Sequence, residues 1–393
     1  MMGMANKMVL YTSVSFQLLI YFIKPAKVAR FNVPVIRNSL PFVDFRTEII
    51  SRIAYLVSNF KMDIIRWGIL GCGRIARKFA ADLKYVPDAR LTAVGARHLE
   101  SAKAFAAEFP VSHVHGSYED LVSDPTVDVI YVASPHALHH EHTLLCLHHK
   151  KAVLCEKAFA LNLRQAEEMV ETARSGKIFL MEAIWSKFLP QYQKMQDLIN
   201  SGQLGEIKSV LVNFGFIPPP PVPSRLFDPA LGGGSLLDIG IYNVFLVLSV
   251  LGRPDAIEAS MTATPEGVDE QCAALFKYKS GAMAQLFSSL SSNLGTEADI
   301  SGTKSRIRLT ARFYAPSATI ELFTGREDSK QVVPVQLESG AGYQYEARHA
   351  GECLRKGLTE SPMMTHADTL LIMETMDRIR AAAGIHYAAD IHL

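Results

Sequence analysis

Residues 65–79 read IRWGILGCGRIARKF. A short β-rich run, IIRWGIL from Ile64, breaks at a glycine pair and passes directly into RIARKFAADLKYV, which has helical composition. Gly71, Gly73 and Ala76 stand in G-x-G-x-x-A spacing. The first position permits a tight turn, the second lets the backbone reach a pyrophosphate, and the third lets the helix lie close to the strand. The free N–H groups of the helix N-terminus would receive the phosphates. Taken alone the pattern is weak, since structural turns and methyltransferase loops share it. Here it follows a strand, opens a helix and begins a βαβ unit of about 30 residues, the context that favours a dinucleotide.

Outward from this loop, short β-rich runs alternate with helical stretches. ARLTAVGAR, TVDVIYVAS, KAVLCEK and KIFLMEA read as strands. LESAKAFAAEF, ALHHEHTLLCLHHK and NLRQAEEMVETARSG read as helices, the last ending in a glycine cap. TVDVIYVAS is apolar on both faces, as a central strand under two helical layers requires. Such alternation predicts a parallel sheet joined by right-handed crossovers. Near Gly205 the pattern changes. IKSVLVNFGF, DAIEASMTAT, QCAALFKYK, AMAQLFSSL, KSRIRLT and TIELFT follow one another with few helices between, which predicts a largely antiparallel sheet. Two later helices, YQYEARHAGECLRKG and ADTLLIMETMDRIRAAAG, would cover that sheet or close onto the first domain. The fold expected is an α/β domain with a parallel sheet over residues 62–184, then an α+β domain with a large open sheet over 185–393.

The end of the second strand bears on the cofactor. NAD binding calls for an acid there to accept from the ribose hydroxyls, but the chain has Ala96 followed by Arg97. A guanidinium can grip a 2′-phosphate with paired hydrogen bonds. NADP(H) is therefore favoured over NAD(H), against the plain alternative of a solvent-facing arginine.

Ligands of such sheets lie at the carboxyl ends of the strands. Glu156 and Lys157 stand at one of these ends, after AVLC. The lysine can hydrogen-bond a substrate hydroxyl or tune a nearby acid-base group; the alternative is a snorkelling lysine paired with Glu156. GGGSLLDIGIYNVFLVLSVLG places Asp238 and Tyr242 four residues apart, on one helical face. A phenol can exchange a proton with an alkoxide if a cation helps it ionise from its usual pKa of about 10. Asp238 could orient the substrate or anchor Lys157.

The 393 residues carry 40 basic and 39 acidic side chains, a formal charge of +1 with no basic run to attract nucleic acid. Five cysteines form no CxxC pair and read as reduced thiols, so a cytoplasmic location is expected. Residues 1–61 do not fit the pattern. MVLYTSVSFQLLIYFIK is apolar for about 15 residues, shorter than the ~20 of a spanning helix. A membrane or targeting segment, an extra packed element and a non-native extension compete. The extension is preferred because Met62 directly precedes DIIRWGILGCG.

Together, GILGCGRIA, GSYEDLVSDPTVDVIYVASPHALH, AVLCEKAFALN, FLMEAIWSKFLP, GGGSLLDIGIY and YEARHAGECLRKG resemble the glucose-fructose oxidoreductase and inositol dehydrogenase superfamily. The likeness runs from about Asp63 to Leu393 and is greatest to the branch of dimeric dihydrodiol dehydrogenases and NADP-dependent D-xylose dehydrogenases. It implies a Rossmann domain, an open antiparallel sheet, and hydride transfer between nicotinamide and a sugar, cyclitol or diol. It also implies that Lys157 and Tyr242 flank the reacting carbon, with Asp238 one turn earlier and Trp185 and Phe188 as substrate walls. The cofactor set implied adds Arg74 and Ile75 in the glycine loop, Ser134, His136 and His139 after the third long strand, and Glu156 beside Lys157. The family commonly has proline after this lysine; here stands Ala158, so the expectation is either a different local turn or strain at Ala158.

Three further expectations complete the reading. The histidines of SPHALHHEHTLLCLHHK lack a completing cysteine or carboxylate set, so no metal is expected and all but His136 read as helix-surface residues. An open sheet with an apolar face needs a cover, which predicts a homodimer. Besides a dehydrogenase of sugars or trans-dihydrodiols, the alternatives are an anhydrosugar or dicarbonyl reductase and an inactive NAD(P)-binding sensor.

Overall fold

Burial identifies the centre of the first sheet: all four residues of β4 (Val129–Val132) and all five of β5 (Ala152–Glu156) are buried. The computed structural model describes residues 64–222, 224–325 and 329–390. The readings of residues 1–61, and of Met62 as a start, lie outside them. With β1 (Ile65–Leu70), β2 (Ala89–Gly95), β3 (His113–His115) and β6 (Leu180–Ala183), these strands form a parallel sheet ordered β3-β2-β1-β4-β5-β6. Strand order reverses between β1 and β4, so a crevice opens beyond their carboxyl ends. Connecting helices are α1 (Arg74–Leu83), α2 (Leu99–Glu108), α3 (Tyr118–Ser123), α4 (His139–His148) and α5 (Leu163–Gly176).

The α5 terminus departs from expectation. Gly176 is the last helical residue, and Lys177 takes the left-handed conformation (φ 52°, ψ 44°). A Cβ on Gly176 would come within 2.8 Å of Ile178 Cδ1, the outer end of a side chain that would have to turn aside.

After α6 (Pro190–Asn200), which starts on a proline as N-terminal turns favour, the second sheet begins at β7 (Ile207–Gly215). A π-turn at Leu236–Gly240 leads into α7 (Ile241–Leu251). The run Pro229–Leu251 is long and apolar enough to cross a membrane by composition, but 83% of its most apolar window is buried inside the protein, as in a core helix. Strands β8 (Ala256–Ala263), β9 (Asp269–Lys277), β10 (Met283–Ser289), β11 (Ala298–Gly302), β12 (Arg306–Leu309), β13 (Ile320–Phe323) and β14 (Lys330–Val333) complete the order β14-β13-β12-β11-β7-β10-β9-β8.

One pair, β7–β10, is parallel; the rest are antiparallel. The chain reaches β10 from β7 through α7 and the antiparallel β8–β9–β10 meander, so no hairpin fixes the β7–β10 pair as antiparallel. The closing helices, α8 (Tyr343–Arg355) and α9 (His366–Ala383), tie back to the first sheet's helices. Asp82 of α1 accepts from the Tyr343 N–H at 2.9 Å, and Asp377 of α9 accepts from the Leu163 N–H at 2.8 Å. A capping box of Thr365 and Asp368 starts α9 and contributes about 1 kcal/mol.

Candidate active site

The glycine loop sits at the switch between β1 and β4. Gly71 has φ +98°, and a Cβ there would stand 3.0 Å from the Ala133 carbonyl oxygen. Its N–H is held by the Gly95 carbonyl at 2.9 Å. Gly73 is the extended residue before α1; no side chain caps this helix, and a Cβ on Gly73 would meet nothing within 4 Å. The helix N-terminus therefore keeps its N–H groups free of a capping side chain, and Ala76 is fully buried against the strand. That arrangement fits a pyrophosphate. Ile75 is half-buried and Arg74 exposed on the same turn. At the end of β2, buried Ala96 is followed by exposed Arg97.

Beyond β4 the histidines correct the surface reading. His139 is fully buried and His142 nearly so. The two His139 ring nitrogens face the Ala158 carbonyl at 2.7 Å and the Ser134 carbonyl at 2.8 Å. Burial lowers its pKa to about 4, so the neutral ring has one N–H to donate between two acceptors. His142 Nδ1 meets Ser134 Oγ at 2.9 Å; burial, then the charge of Arg97, lowers its pKa to about 4. His136 Nδ1 lies 3.2 Å from the Gly232 carbonyl, and its Nε2 lies 3.8 Å from Asp238.

Lys157 follows β5, and the Lys157–Ala158 peptide is cis. The ammonium donates to the Asp238 backbone carbonyl at 2.6 Å, stands 3.8 Å from the Asp238 carboxylate, and lies 5.0 Å from the centre of the Tyr242 ring. Burial lowers its pKa, with Asp238 opposing. The Asp238 carboxylate also accepts from Arg225 at 3.0 Å. Burial disfavours its charge, but Lys157, Arg225 and His136 outweigh burial and hold it below the usual carboxylate range. Behind Lys157, Glu156 accepts from the Tyr131 hydroxyl, and burial raises its pKa.

Tyr242 and Asp238 come together, but through the π-turn rather than one regular helical face. The wider turn leaves the Asp238 carbonyl to the lysine, a use often found where such turns interrupt helices. The phenolic oxygen of Tyr242 accepts from Trp185 Nε1 at 3.0 Å. Burial pushes this phenol well above its ordinary pKa. Desolvation is the largest cause, and the Trp185 N–H opposes it. Trp185 stacks on Tyr343 at 4.5 Å, and Tyr314 lies 4.8 Å from Tyr242. Phe188 instead packs on His349 of α8, at 4.9 Å.

Arg225, Tyr314 and Tyr343 escaped the sequence reading. Arg225 follows the proline-rich excursion, where nothing in the local pattern signals a partner. Tyr343 opens a helix that was legible, but its approach to Trp185 is set by the contact of α8 with α1.

Residues 65–183 match the oxidoreductase family with an NAD-binding Rossmann fold, and residues 192–308 match the GFO/IDH/MocA C-terminal domain. Trans-1,2-dihydrobenzene-1,2-diol dehydrogenase of Xenopus tropicalis is 37% identical over 330 residues, covering 82% of this chain and 99% of that protein. The human protein of the same name is 36% identical over 334 residues, covering 83% and 99%. Among solved structures, a 3-ketoreductase from Actinomadura kijaniata in complex with NADP and TDP-benzene superposes with a TM-score of 0.73 at 28% identity, over 81% of this chain and 98% of that one. An aldose-aldose oxidoreductase from Caulobacter crescentus gives 0.75 at 24% identity, over 82% and 98%, a likeness of fold. The chain belongs to the GFO/IDH/MocA oxidoreductase family and is an NAD(P)-dependent dehydrogenase or reductase.

Proposed function

We propose that this protein is an NADP-preferring oxidoreductase of a secondary alcohol and its carbonyl, with a trans-dihydrodiol or sugar as substrate. The observation that carries the reading is the convergence of Lys157, Asp238 and Tyr242 after β5, with Trp185 holding the phenolic oxygen. The names of the dihydrodiol dehydrogenases support the diol, and exposed Arg97 after β2 supports the 2′-phosphate. When bound, the nicotinamide supplies or accepts the hydride. The loop from Gly71 to Ala76 would hold its pyrophosphate, with Ser134 and His136 at the β4 end of the same crevice and buried His139 holding the Ser134 carbonyl behind them.

The chain's own part is proton handling and placement. Tyr242 keeps its proton in the buried state, so its O–H is ready to give that proton to a carbonyl oxygen. Because Trp185 donates to the phenolic oxygen, the Tyr242 proton is directed elsewhere, toward the substrate. Lys157 stabilises negative charge on the same substrate oxygen, and Asp238 fixes the ammonium through its carbonyl and its charge. In the reverse direction Tyr242 accepts the hydroxyl proton. Such positioned proton transfer accelerates a reaction about 10²–10⁴-fold.

The outer face of the second sheet supports a homodimer. Leu211 and Met283 are 51% and 43% exposed on neighbouring β7 and β10, where they pair with Gln285 and Ser209, and a second copy would cover these two apolar side chains. Light scattering should give the dimer mass, and a monomer at micromolar concentration rejects it. Five free cysteines support a reducing, cytoplasmic setting.

A spectrophotometric screen of NADP and NAD against trans-dihydrodiols, aldoses and dicarbonyls tests cofactor and substrate together. Turnover of a trans-dihydrodiol or aldose with NADP, faster than with NAD, is expected. Exclusive use of NAD, or turnover of dicarbonyls alone, rejects the proposal.

A further inference from the structure

A second group of donors lies on the outer strand of the parallel sheet, four strands from β5. Successive side chains of a strand point to opposite faces, so His113 and His115 of β3 share one face. Asp124, directly after α3, closes toward them. Its carboxylate is buried, and Oδ1 is occupied by the Thr126 N–H at 2.8 Å and the Thr126 hydroxyl at 2.6 Å. Oδ2 faces both imidazoles, His113 Nδ1 at 2.6 Å and His115 Nε2 at 3.0 Å. The three ligand atoms lie within 4.8 Å of one another.

Neighbouring cations are engaged elsewhere. Lys151 gives its protons to the Asp124 and Val127 carbonyls at 2.5 and 2.8 Å, and Arg66 grips Asp128 through two nitrogens. The Thr126 N–H and hydroxyl hold one carboxylate oxygen and leave the other to the two imidazoles. A buried anion facing two imidazoles is a donor set suited to a borderline divalent ion.

We infer that His113 Nδ1, His115 Nε2 and Asp124 Oδ2 form a binding site for a divalent ion of the zinc class, with water completing the shell. Zinc bonds of about 2.0–2.1 Å place tetrahedral ligand atoms about 3.3 Å apart, so from Asp124 Oδ2 the His113 nitrogen at 2.6 Å must draw back by about 0.7 Å and the His115 nitrogen at 3.0 Å by about 0.3 Å. His113 is exposed enough to make that adjustment. Thr126 orients the carboxylate from behind, as outer partners of metal ligands do. The ion would tie β3, a three-residue edge strand with β2 as its neighbour, to the turn before β4. Its role is therefore structural, remote from Lys157.

The test uses tag-free full-length protein, stripped with EDTA and titrated with zinc chloride by calorimetry, alongside thermal melts. One zinc per chain and a higher melting temperature are expected. His113→Gln and His115→Gln should each weaken binding by about tenfold or more and remove the thermal shift. His149→Gln, on the exposed end of α4, should change neither. Circular dichroism of the variants separates lost ligation from lost folding. Absence of binding at micromolar zinc, or equal affinity in folded wild type and the His113→Gln/His115→Gln double variant, overturns the site and leaves a hydrogen-bonded histidine–aspartate group.

Discussion

The indole N–H of Trp185 donates to the phenolic oxygen of Tyr242 at 3.0 Å, while the Lys157 ammonium lies 5.0 Å from the centre of that tyrosine's ring. One contact fixes the oxygen and the other offers charge from the ring face. Burial nonetheless dominates and raises the phenol's pKa. Alcohol oxidation, which needs a proton acceptor, should therefore speed up as pH rises through the neutral range. Carbonyl reduction, which needs the proton in place, should stay level there. Tyr242→Phe should keep NADPH binding by fluorescence, lose about 10²–10⁴-fold in turnover, and flatten the oxidative pH profile. Unchanged turnover would remove Tyr242 from the mechanism.

Trp185→Phe keeps an aromatic ring for stacking on Tyr343 but deletes the donor to Tyr242. The N–H favours phenolate, so its loss should move the alkaline limb of oxidation upward by roughly one pH unit, the equivalent of ~1.4 kcal/mol. A fall in turnover with no shift of that limb would mean that the indole only shapes the cavity.

Arg225 is half-exposed and shares the Asp238 carboxylate with Lys157. Arg225→Gln should leave the melting temperature within about 2 °C, since partly exposed pairs add little stability. It should lower turnover about tenfold by loosening the anion that holds the lysine. The diagnostic readout is kcat with KM for the cofactor unchanged; a change confined to cofactor KM would assign Arg225 to nucleotide binding.

Arg97 tests cofactor choice. Arg97→Ala should raise KM for NADP about tenfold or more while leaving NAD nearly unaffected, because only NADP carries the 2′-phosphate that a guanidinium can grip. Parallel changes for both cofactors would reduce Arg97 to a general electrostatic contribution.

The legibility of this chain follows from how local each signal is. The glycine loop and Lys157 could be placed because strand ends are marked by adjacent residues. The burial of α4 was also readable in principle: His139, His142, Thr143 and Cys146 repeat at helical spacing and are all buried. Composition misled, since histidine usually suggests surface. Strands β11 and β14 and helices α3 and α6 were overlooked for want of strong apolar alternation, and the His113–His115 pair lay in an edge strand too short to stand out. Arg225, Tyr314 and Tyr343 are different in kind. Their partners are fixed by the docking of the second sheet and the return of α8 onto α1, which no local spacing encodes. The π-turn likewise depends on how α7 meets its surroundings: a Cβ on Gly240 would press within 3.1 Å of Ser288 Oγ.

Glu182 of β6 is buried, neither of its oxygens has a hydrogen bond of ordinary geometry, and burial raises its pKa to about 8. An unfolded glutamate ionises near 4.3, so between that value and about 8 the folded chain binds more protons than the unfolded one. Stability from this group is full below about pH 4 and is lost as pH rises through the window, at a slope of up to ~1.4 kcal/mol per pH unit. Glu182→Gln is uncharged in both states and removes the slope. Calorimetric melts at about pH 5, 6.5 and 8, which span that window, should show the variant gaining on the wild type at each step. Parallel curves would mean that the Glu182 carboxylate is stabilised in the folded protein after all.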